Sequence, residues 1–278
     1  MKKKVVSVLL IMGLMGAMMA GCGADSGETN SNADGGQSDE KSVIKIGIRA
    51  DMVNQLEAVK DEIEELGYTV EESVFDDSVQ PDVALAEGSL DINWYQHEPY
   101  LESYNAENGT DLVMIEPKTF YPLFAMYSDK WESIDELPDG ATIGLCNDAT
   151  NQTRGLKMLE AQGLLTLDDS VESPTMYDVK DNPHDFQFIE AEMSVLPQSL
   201  TDADAICLAA GHMVNAGLPA DGFLCQSDDN DTYAVGFAVR GEDKDAEWAK
   251  EIAEAVQCDD LAEYFKTEKE GTQIPCWE

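Results

Sequence analysis

Apolar and polar positions along the chain alternate between strand-like runs and stretches with helical periodicity. IKIGI (44–48) is a short apolar run and predicts a strand. From Met52 to Leu66 apolar residues recur every three or four positions, which predicts a helix that ends at Gly67. YTVEESVF (68–75) predicts a second strand. Strands and helices in alternation indicate an α/β body with a largely parallel sheet.

The same alternation continues to the C-terminus. VALAEG predicts a short helix, LDINWY a strand, and Pro99 fits the first turn of the helix that follows. The remaining predicted strands are DLVMIEP, LFAMYS, ATIGL, FQFIEA, ADAICLA and YAVGFAVR, and the remaining predicted helices are 150–162, SVLPQSL, GHMVNAG and DAEWAKEIAEAVQ. These form two α/β series, so we expect two lobes, residues 43–127 with 233–278, and residues 128–232. A cleft between them would hold a ligand at strand C-terminal ends, where helix N-termini point.

The N-terminus predicts export and a lipid anchor. Lysines at positions 2–4 precede an apolar run at 5–15 that is too short to span a membrane, and small residues stand directly before Cys22. This layout resembles the lipobox of bacterial lipoproteins. Residues 1–21 would be the signal peptide and Cys22 the lipid-modified first residue, anchored at the extracytoplasmic face of the cell membrane. The alternative is an ordinary secretory signal that contains a cysteine.

The segment after the signal predicts a tether. Residues 23–42 contain no aromatic and no large aliphatic side chain, so they cannot bury enough apolar surface to fold. We expect a lipid-anchored flexible tether over residues 22–42 and a folded body that begins near Val43.

Charge and cysteine content exclude some classes of function. The chain has 17 Lys+Arg against 56 Asp+Glu, a net charge of −39, which disfavours a nucleic-acid partner and favours a well-solvated surface. Besides Cys22 there are five cysteines, and none forms a CxxC pair. An odd number cannot all pair internally, although Cys258 and Cys276 could be bridged.

No sequence pattern calls for catalysis, a metal or a cofactor. The chain has no GxSxG, P-loop, GxGxxG or HExxH sequence. Its three histidines, His97, His184 and His212, are far apart and lack metal-ligand spacing. We therefore expect neither an enzyme nor a bound metal or cofactor.

An aromatic group stands at the end of one predicted strand. NWYQHEPY places Trp94, Tyr95, His97 and Tyr100 at a strand end and the following helix start. Aromatic faces beside an imidazole form a slot for an apolar side chain or a cation. The alternative is that two of these rings belong to the core.

A second group stands in CNDATNQTRGL, at a predicted strand-to-helix corner. Asn147, Asn151 and Arg154 lie together there, with Thr150 or Asn151 as the expected N-cap. A cation in a first helical turn opposes the helix dipole, so Arg154 is expected to share an anion with the free amides there. The alternative is a surface arginine paired with Asp148.

The same segments resemble the NlpA/MetQ-type methionine-binding lipoproteins of ABC importers. The QHxPYL and NDxTNxxR motifs appear here as QHEPYL and NDATNQTR, and the likeness extends from about Ile44 to the C-terminus. The resemblance implies a two-lobed, type 2 periplasmic-binding-protein fold that closes on an amino acid and delivers it to a permease and its ATPase. It also implies that Arg154 binds the ligand carboxylate and that Tyr95, His97 and Tyr100 enclose its side chain, while Asn147 shapes the corner.

Three positions depart from the family pattern. Family members usually have Tyr at Ser78, Asn-Gly-Asn where this chain has Ala209-Ala210-Gly211, and Asn at Val235. Each lost asparagine removes a hydrogen bond to the ligand backbone of about 0.5–1.5 kcal/mol. The ligand is therefore expected to differ from plain L-methionine: another amino acid, a modified one, or a short peptide. His212 and Cys146 could contribute to the changed pocket.

Two other classes of function stay open at this stage. An enzyme on the same fold would need an acid, base or nucleophile positioned in the cleft. A surface lipoprotein with an adhesion or envelope role and a degenerate cleft would explain the lost asparagines. Retention of Arg154 and of the aromatic group argues against this second alternative.

Overall fold

The computed structural model describes residues 41–277, which contain fourteen strands and eight α-helices. The strands are β1 Val43–Arg49, β2 Thr69–Phe75, β3 Ile92–His97, β4 Leu112–Met114, β5 Phe120–Pro122, β6 Phe124–Tyr127, β7 Thr142–Cys146, β8 Thr166–Leu167, β9 Val179–Asp181, β10 Gln187–Ala191, β11 Ala205–Ala209, β12 Cys225–Gln226, β13 Val235–Arg240 and β14 Gln273–Pro275. The helices are α1 Val53–Glu57, α2 Lys60–Glu65, α3 Gln80–Ala86, α4 Glu98–Asn108, α5 Ala149–Ala161, α6 Gly211–Asn215, α7 Glu247–Ala255 and α8 Asp259–Thr267. Short 3₁₀ helices occupy Ala50–Met52, Ile134–Glu136, Met176–Asp178, Leu196–Thr201, Asn230–Tyr233 and Gly241–Asp243.

The first sheet combines parallel and antiparallel strands. Its order is β14-β5-β13-β3-β1-β2, and β4 also pairs with β13. β1 is parallel to β2 and β3, but β13 is antiparallel to β3, β4 and β5. The expectation of a largely parallel sheet is therefore wrong for this half, because the chain returns to the sheet late and runs against its first strands.

The second sheet has the order β10-β7-β11-β6-β12. β7 is parallel to β10 and β11, whereas β6 and β12 add an antiparallel edge. The chain passes from the first sheet to the second between Pro122, which ends β5, and Phe124, which begins β6. The expected lobe limit lies a few residues later, after Tyr127. The apolar runs of β5 and β6 are alike in sequence, so their pattern cannot show that they pair with different sheets. The return to the first sheet, between Gln226 and Val235, spans the expected limit at 232/233.

Each sheet carries its own apolar core. In β1 Ile44, Ile46 and Ile48 are fully buried and pack with α7 and α8, which contribute Ile252 and Phe265. The second sheet has a core on each face, one around β7 and α5 and one around β11 and the Leu196–Thr201 turn. The strand ends that carry polar side chains lie between these cores.

The helix expected over 52–66 is interrupted. Ala58 and Val59 form a turn between α1 and α2, in which the Val59 amide bonds to the Leu56 carbonyl three residues earlier. Leu56, Val59 and Ile63 are nevertheless almost completely buried. The apolar periodicity correctly predicted the buried face, although not the continuity of the helix. SVLPQSL likewise forms a 3₁₀ helix rather than an α-helix.

Candidate functional site

A cavity of about 690 Å³ contains most of the residues that the sequence analysis placed at a ligand site. Its wall is built by elements of both sheets. The predicted residues that line it are Ser78, Tyr95, His97, Tyr100, Asn147, Asn151, Arg154, Ala209, His212 and Val235. Ala209 and Val235 contribute only apolar side chains, so the wall there offers no side-chain hydrogen bond. The volume falls within the range typical of small-molecule sites.

His97 is held in one tautomer by its neighbours. The Tyr100 amide donates to Nδ1 at 3.2 Å, so Nδ1 carries no proton in the neutral ring. Nε2–H is then free to donate to Asn151 Oδ1, 3.1 Å away. The Asn151 amide nitrogen donates in turn to both carboxylate oxygens of Asp148, at 3.0 and 3.1 Å. Burial lowers the pKa of His97 to about 4, against the raising effect of the Asn151 contact, so the ring is neutral at physiological pH.

Helix α5 begins one residue earlier than the sequence suggested, and its N-cap lies two or three residues earlier. Asp148, rather than Thr150 or Asn151, is the N-cap, and its carboxylate accepts a hydrogen bond from the backbone N–H of Asn151 at 2.9 Å. Arg154 is therefore the sixth residue of the helix, in its second turn. The prediction that Arg154 lies in the first helical turn, and so opposes the helix dipole there, was wrong. The suggested surface pair with Asp148 is also wrong, since Arg154 is 1% exposed.

Arg154 is enclosed on most sides. Its Nε donates to Asp229 Oδ1 at 2.9 Å, and Nη2 lies 3.3 Å from Asn230 Oδ1 and 3.4 Å from the Pro122 carbonyl. The guanidinium carbon lies 4.7 Å from the ring centre of Phe124 and 4.3 Å from that of Tyr233. Burial lowers its pKa, although Asp229 opposes this effect. Nη1 makes no hydrogen bond within residues 41–277, and it is the donor left for a ligand.

Tyr95 and Tyr100 fix the loop before α3. Both hydroxyls donate to the Ser78 carbonyl, at 2.7 and 3.0 Å. Tyr95 Oη also lies 2.9 Å from Asp82 Oδ2, a fully buried carboxyl that accepts hydrogen bonds from Asn93 and Gln96. The two phenols thus line the cavity with their rings while their hydroxyls hold the backbone of Ser78.

Arg49 is the functional candidate that sequence reasoning missed. It ends β1, lines the cavity, and donates through Nη1 to Ser78 Oγ and to Glu192 Oε1, the latter at 3.1 Å. Its Nε lies 3.4 Å from Asp51 Oδ1. Burial lowers the pKa of Arg49, but Asp51 and Glu192 together raise it above its usual value. A charged residue at the end of an apolar strand was the available signal.

Polar contacts join the two halves of the body beside the cavity. Arg49 belongs to the first sheet, and Glu192 follows β10 of the second. Asn215 of α6 donates to Asp51 at 3.0 Å and accepts from Lys269 at 2.8 Å. These contacts make the wall of the cavity continuous between elements of the two sheets.

Some predicted residues lie elsewhere. Trp94 is a core residue: its ring packs 4.9 Å from Phe237, and its indole nitrogen donates to Thr119. Cys146 is fully buried and does not line the cavity. Cys258 and Cys276, whose pairing was left open, are both free thiols.

Comparisons with known proteins identify the family to which this chain belongs. The family model described as NlpA lipoprotein matches residues 44–277. The chain belongs to the NlpA lipoprotein family. It is 34% identical over 272 residues to the D-methionine-binding lipoprotein MetQ of Salmonella typhi, which covers 95% of each chain. It is 30% identical over 282 residues to the methionine-binding lipoprotein MetQ of Bacillus subtilis (strain 168), which covers 99% of each.

The fold agrees with solved NlpA-type structures. A nutrient-binding protein from Burkholderia cenocepacia, solved bound to methionine, superposes with a TM-score of 0.79 at 31% identity, over 84% of this chain and 99% of that one. The two-lobed periplasmic-binding-protein fold expected from the sequence is confirmed. Membership of a lipoprotein family implies a membrane-anchored, extracytoplasmic protein. Among the helices of residues 41–277, none has the length and apolar character needed to cross a membrane.

Proposed function

We propose that this chain is the solute-binding subunit of an ABC importer, which captures methionine or a related amino acid and delivers it to a permease and its ATPase. The observation that carries the proposal is the cavity, whose wall combines Tyr95, His97 and Tyr100, at the end of β3 and the start of α4, with the start of α5 and Arg154. The relatives named above are described as D-methionine-binding and methionine-binding lipoproteins.

The ligand carboxylate would lie between Arg154 and the start of α5. Arg154 Nη1 has no protein partner in the described part of the chain, and Ala149 and Thr150 line the cavity in the first turn. The first amides of a helix have no partner within it and form a natural anion site. Two N–H groups and a guanidinium then converge on one carboxylate, as expected for charge-assisted binding.

The ligand side chain would lie against Tyr95, His97 and Tyr100. The rings of Tyr95 and Tyr100 meet edge to face at 6.3 Å, and His97 lies 6.2 Å from Tyr100. Because His97 is neutral and the phenol hydroxyls already hold Ser78, this wall presents mainly aromatic surface. Such a wall suits an uncharged side chain. Asn147 would shape the corner beside this wall. Its backbone N–H donates to the Ala191 carbonyl at 3.0 Å.

The anchor of the protein would be the lipid on Cys22. Cys22 and the tether up to residue 40 lie outside the described residues, so their roles stay predictions from the sequence. The lobe limits 43–127 with 233–278 and 128–232 also stay predictions. Strand pairing favours moving the first limit from 127 to 122.

A transport assay tests the proposal. The gene is deleted in its host, and uptake of radiolabelled L-methionine and of a mixture of radiolabelled L-amino acids is measured. We expect the deletion strain to lose uptake of at least one amino acid. The wild-type gene should restore that uptake, and the gene with Cys22→Ala should restore less of it. Unchanged uptake of every amino acid in the deletion strain would contradict the proposal.

A further inference from the structure

We infer that Arg49 and Ser78 form a second polar subsite in the cavity, which binds a neutral carboxamide on the ligand side chain. The inference rests on the proposed function, because it names the chemistry of the ligand in the same cavity. Both residues line that cavity, and neither belongs to the carboxylate site at Arg154.

The two side chains present hydrogen-bond donors that no described residue uses. Ser78 Oγ accepts a hydrogen bond from Arg49 Nη1, so its own hydroxyl hydrogen is available to another acceptor. Arg49 uses Nη1 and Nε on Ser78, Glu192 and Asp51, whereas Nη2 has no partner within residues 41–277. A purely apolar ligand side chain would leave these donors without an acceptor, which costs free energy in a partly buried site.

The charge around Arg49 selects a neutral acceptor. Its guanidinium already faces two carboxylates, Glu192 at 3.1 Å and Asp51 at 3.4 Å, and its side chain is only 11% exposed. A ligand carboxylate placed on Nη2 would be the third anion at the Arg49 guanidinium. Lys269 offsets part of the charge of Asp51, but repulsion from Glu192 would still oppose such a ligand. A carbonyl oxygen accepts the same hydrogen bonds without adding charge.

The carboxylates supply the other half of the recognition. A carboxamide has an N–H₂ group as well as an oxygen, and ionised Asp51 and Glu192 are acceptors with more lone pairs than their present contacts use. The oxygen would bind Ser78 Oγ and Arg49 Nη2, while the N–H₂ group would donate to an adjacent carboxylate. The subsite therefore matches a carboxamide in both donors and acceptors.

Three amino acids of equal side-chain length test the inference. Full-length protein purified in detergent is titrated by calorimetry with L-methionine, L-glutamine and L-glutamate. We expect L-glutamine to bind at least about tenfold more tightly than either of the others, as one unmatched polar contact implies. In Ser78→Ala and in Arg49→Met the ratio of L-glutamine to L-methionine affinity should fall toward one, with the unfolding midpoint measured to establish that each variant is folded.

The outcomes separate this inference from the proposed function. L-Methionine binding as tightly as L-glutamine, or L-glutamate binding more tightly than L-glutamine, overturns the carboxamide subsite and leaves the amino-acid-binding function standing. A preference for L-glutamine that survives in both variants also overturns the assignment to Arg49 and Ser78. Failure of all three amino acids to bind overturns the carboxamide subsite, and the transport assay then decides whether the amino-acid-binding function stands.

Discussion

His97 Nε2 lies 3.1 Å from Asn151 Oδ1, so a residue at the end of a first-sheet strand contacts the helix that follows a second-sheet strand. The Tyr100 amide donates to Nδ1, and this bond requires a neutral ring with its proton on Nε2. Protonation of His97 would replace the acceptor at Nδ1 with a donor that faces the Tyr100 N–H. The aromatic side of the cavity is thus connected to the start of α5 through Nε2–H, whereas the bond from the Tyr100 amide to Nδ1 is the one that protonation removes.

His97 should make the protein less stable as the pH falls. Its pKa is about 4 in the folded protein against 6.5 in an unfolded chain, so between these values the unfolded state binds the proton first. The contribution is complete above pH 6.5 and declines toward pH 4. We expect the unfolding free energy of wild type, relative to His97→Phe, to fall by on the order of 1 kcal/mol per pH unit in this window. Urea unfolding of both proteins across the window measures it, and a difference that does not change with pH would contradict the account.

Asp82 should make the protein less stable as the pH rises, which is opposite to the effect of His97. Burial raises its pKa from 3.8 to about 6, despite hydrogen bonds from Gln96, Asn93 and Tyr95. The folded state therefore holds a proton that the unfolded state has lost, and this stabilisation is present below pH 3.8 and disappears as the pH rises through 6. In Asp82→Asn, the new amide could donate to Tyr95 Oη and keep its oxygen for Asn93 and Gln96.

We expect Asp82→Asn to gain stability relative to wild type as the pH rises from 4 to 7, by on the order of 1 kcal/mol per pH unit within the titration range. Chemical unfolding at several pH values checks this. Asp82→Leu, which removes the acceptors, is the matched control and should be less stable than wild type at every pH. If Asp82→Asn instead loses stability relative to wild type as the pH rises, the Asp82 carboxyl is not held protonated by burial.

Arg154 should be needed for binding as well as for folding. Arg154→Gln leaves Asp229 without its ion-pair partner, and we expect a loss of about 1–3 kcal/mol of unfolding free energy. The double variant Arg154→Gln/Asp229→Asn removes both charges and should recover part of that loss, yet still fail to bind an amino acid. Arg240→Gln is the control, since Arg240 is also ion-paired, with Asp243 at 2.6 Å, but does not line the cavity. Normal ligand affinity in a folded double variant would remove Arg154 from the carboxylate site.

Gly47 should tolerate no side chain. A Cβ atom there would overlap Asn93 Oδ1 and Leu90 Cδ1, because these two side chains pack directly against β1. We expect Gly47→Ala to cost about 1–3 kcal/mol of unfolding free energy, as overpacking does in a well-packed interior. Gly222→Ala, which has open space around the added atom, should change stability by far less. Equal effects of the two variants in urea unfolding would show that the close approach at Gly47 is not rigid.

Part of the cavity wall could be predicted from sequence because the residues concerned lie in two short segments. Tyr95, His97 and Tyr100 stand within six positions at one strand end, and their proximity follows from local structure alone. Arg154 lies close to a strand-to-helix corner, so it too was placed near the cavity. The apolar periodicity from Met52 to Leu66 predicted the buried face of that segment for the same local reason.

Pairings between distant residues could not be predicted. Asp229 is 75 positions from Arg154, and Glu192 is 143 positions from Arg49, so their contacts depend on how the two sheets are arranged. The N-cap was missed because Asp148, Thr150 and Asn151 are all suitable capping residues, and only the end of β7 at Cys146 decides among them. Local sequence restricts such choices, but the tertiary structure makes them.

The most direct test of the central claim is a crystal structure of the protein with the amino acid that binds it most tightly. The account predicts the ligand in the cavity between the two sheets, with a carboxylate oxygen about 2.9 Å from Arg154 Nη1 and within reach of the first amides of α5. The ligand side chain should lie against Tyr95 and Tyr100. A ligand whose carboxylate lies away from Arg154, or one that binds outside this cavity, would contradict the account.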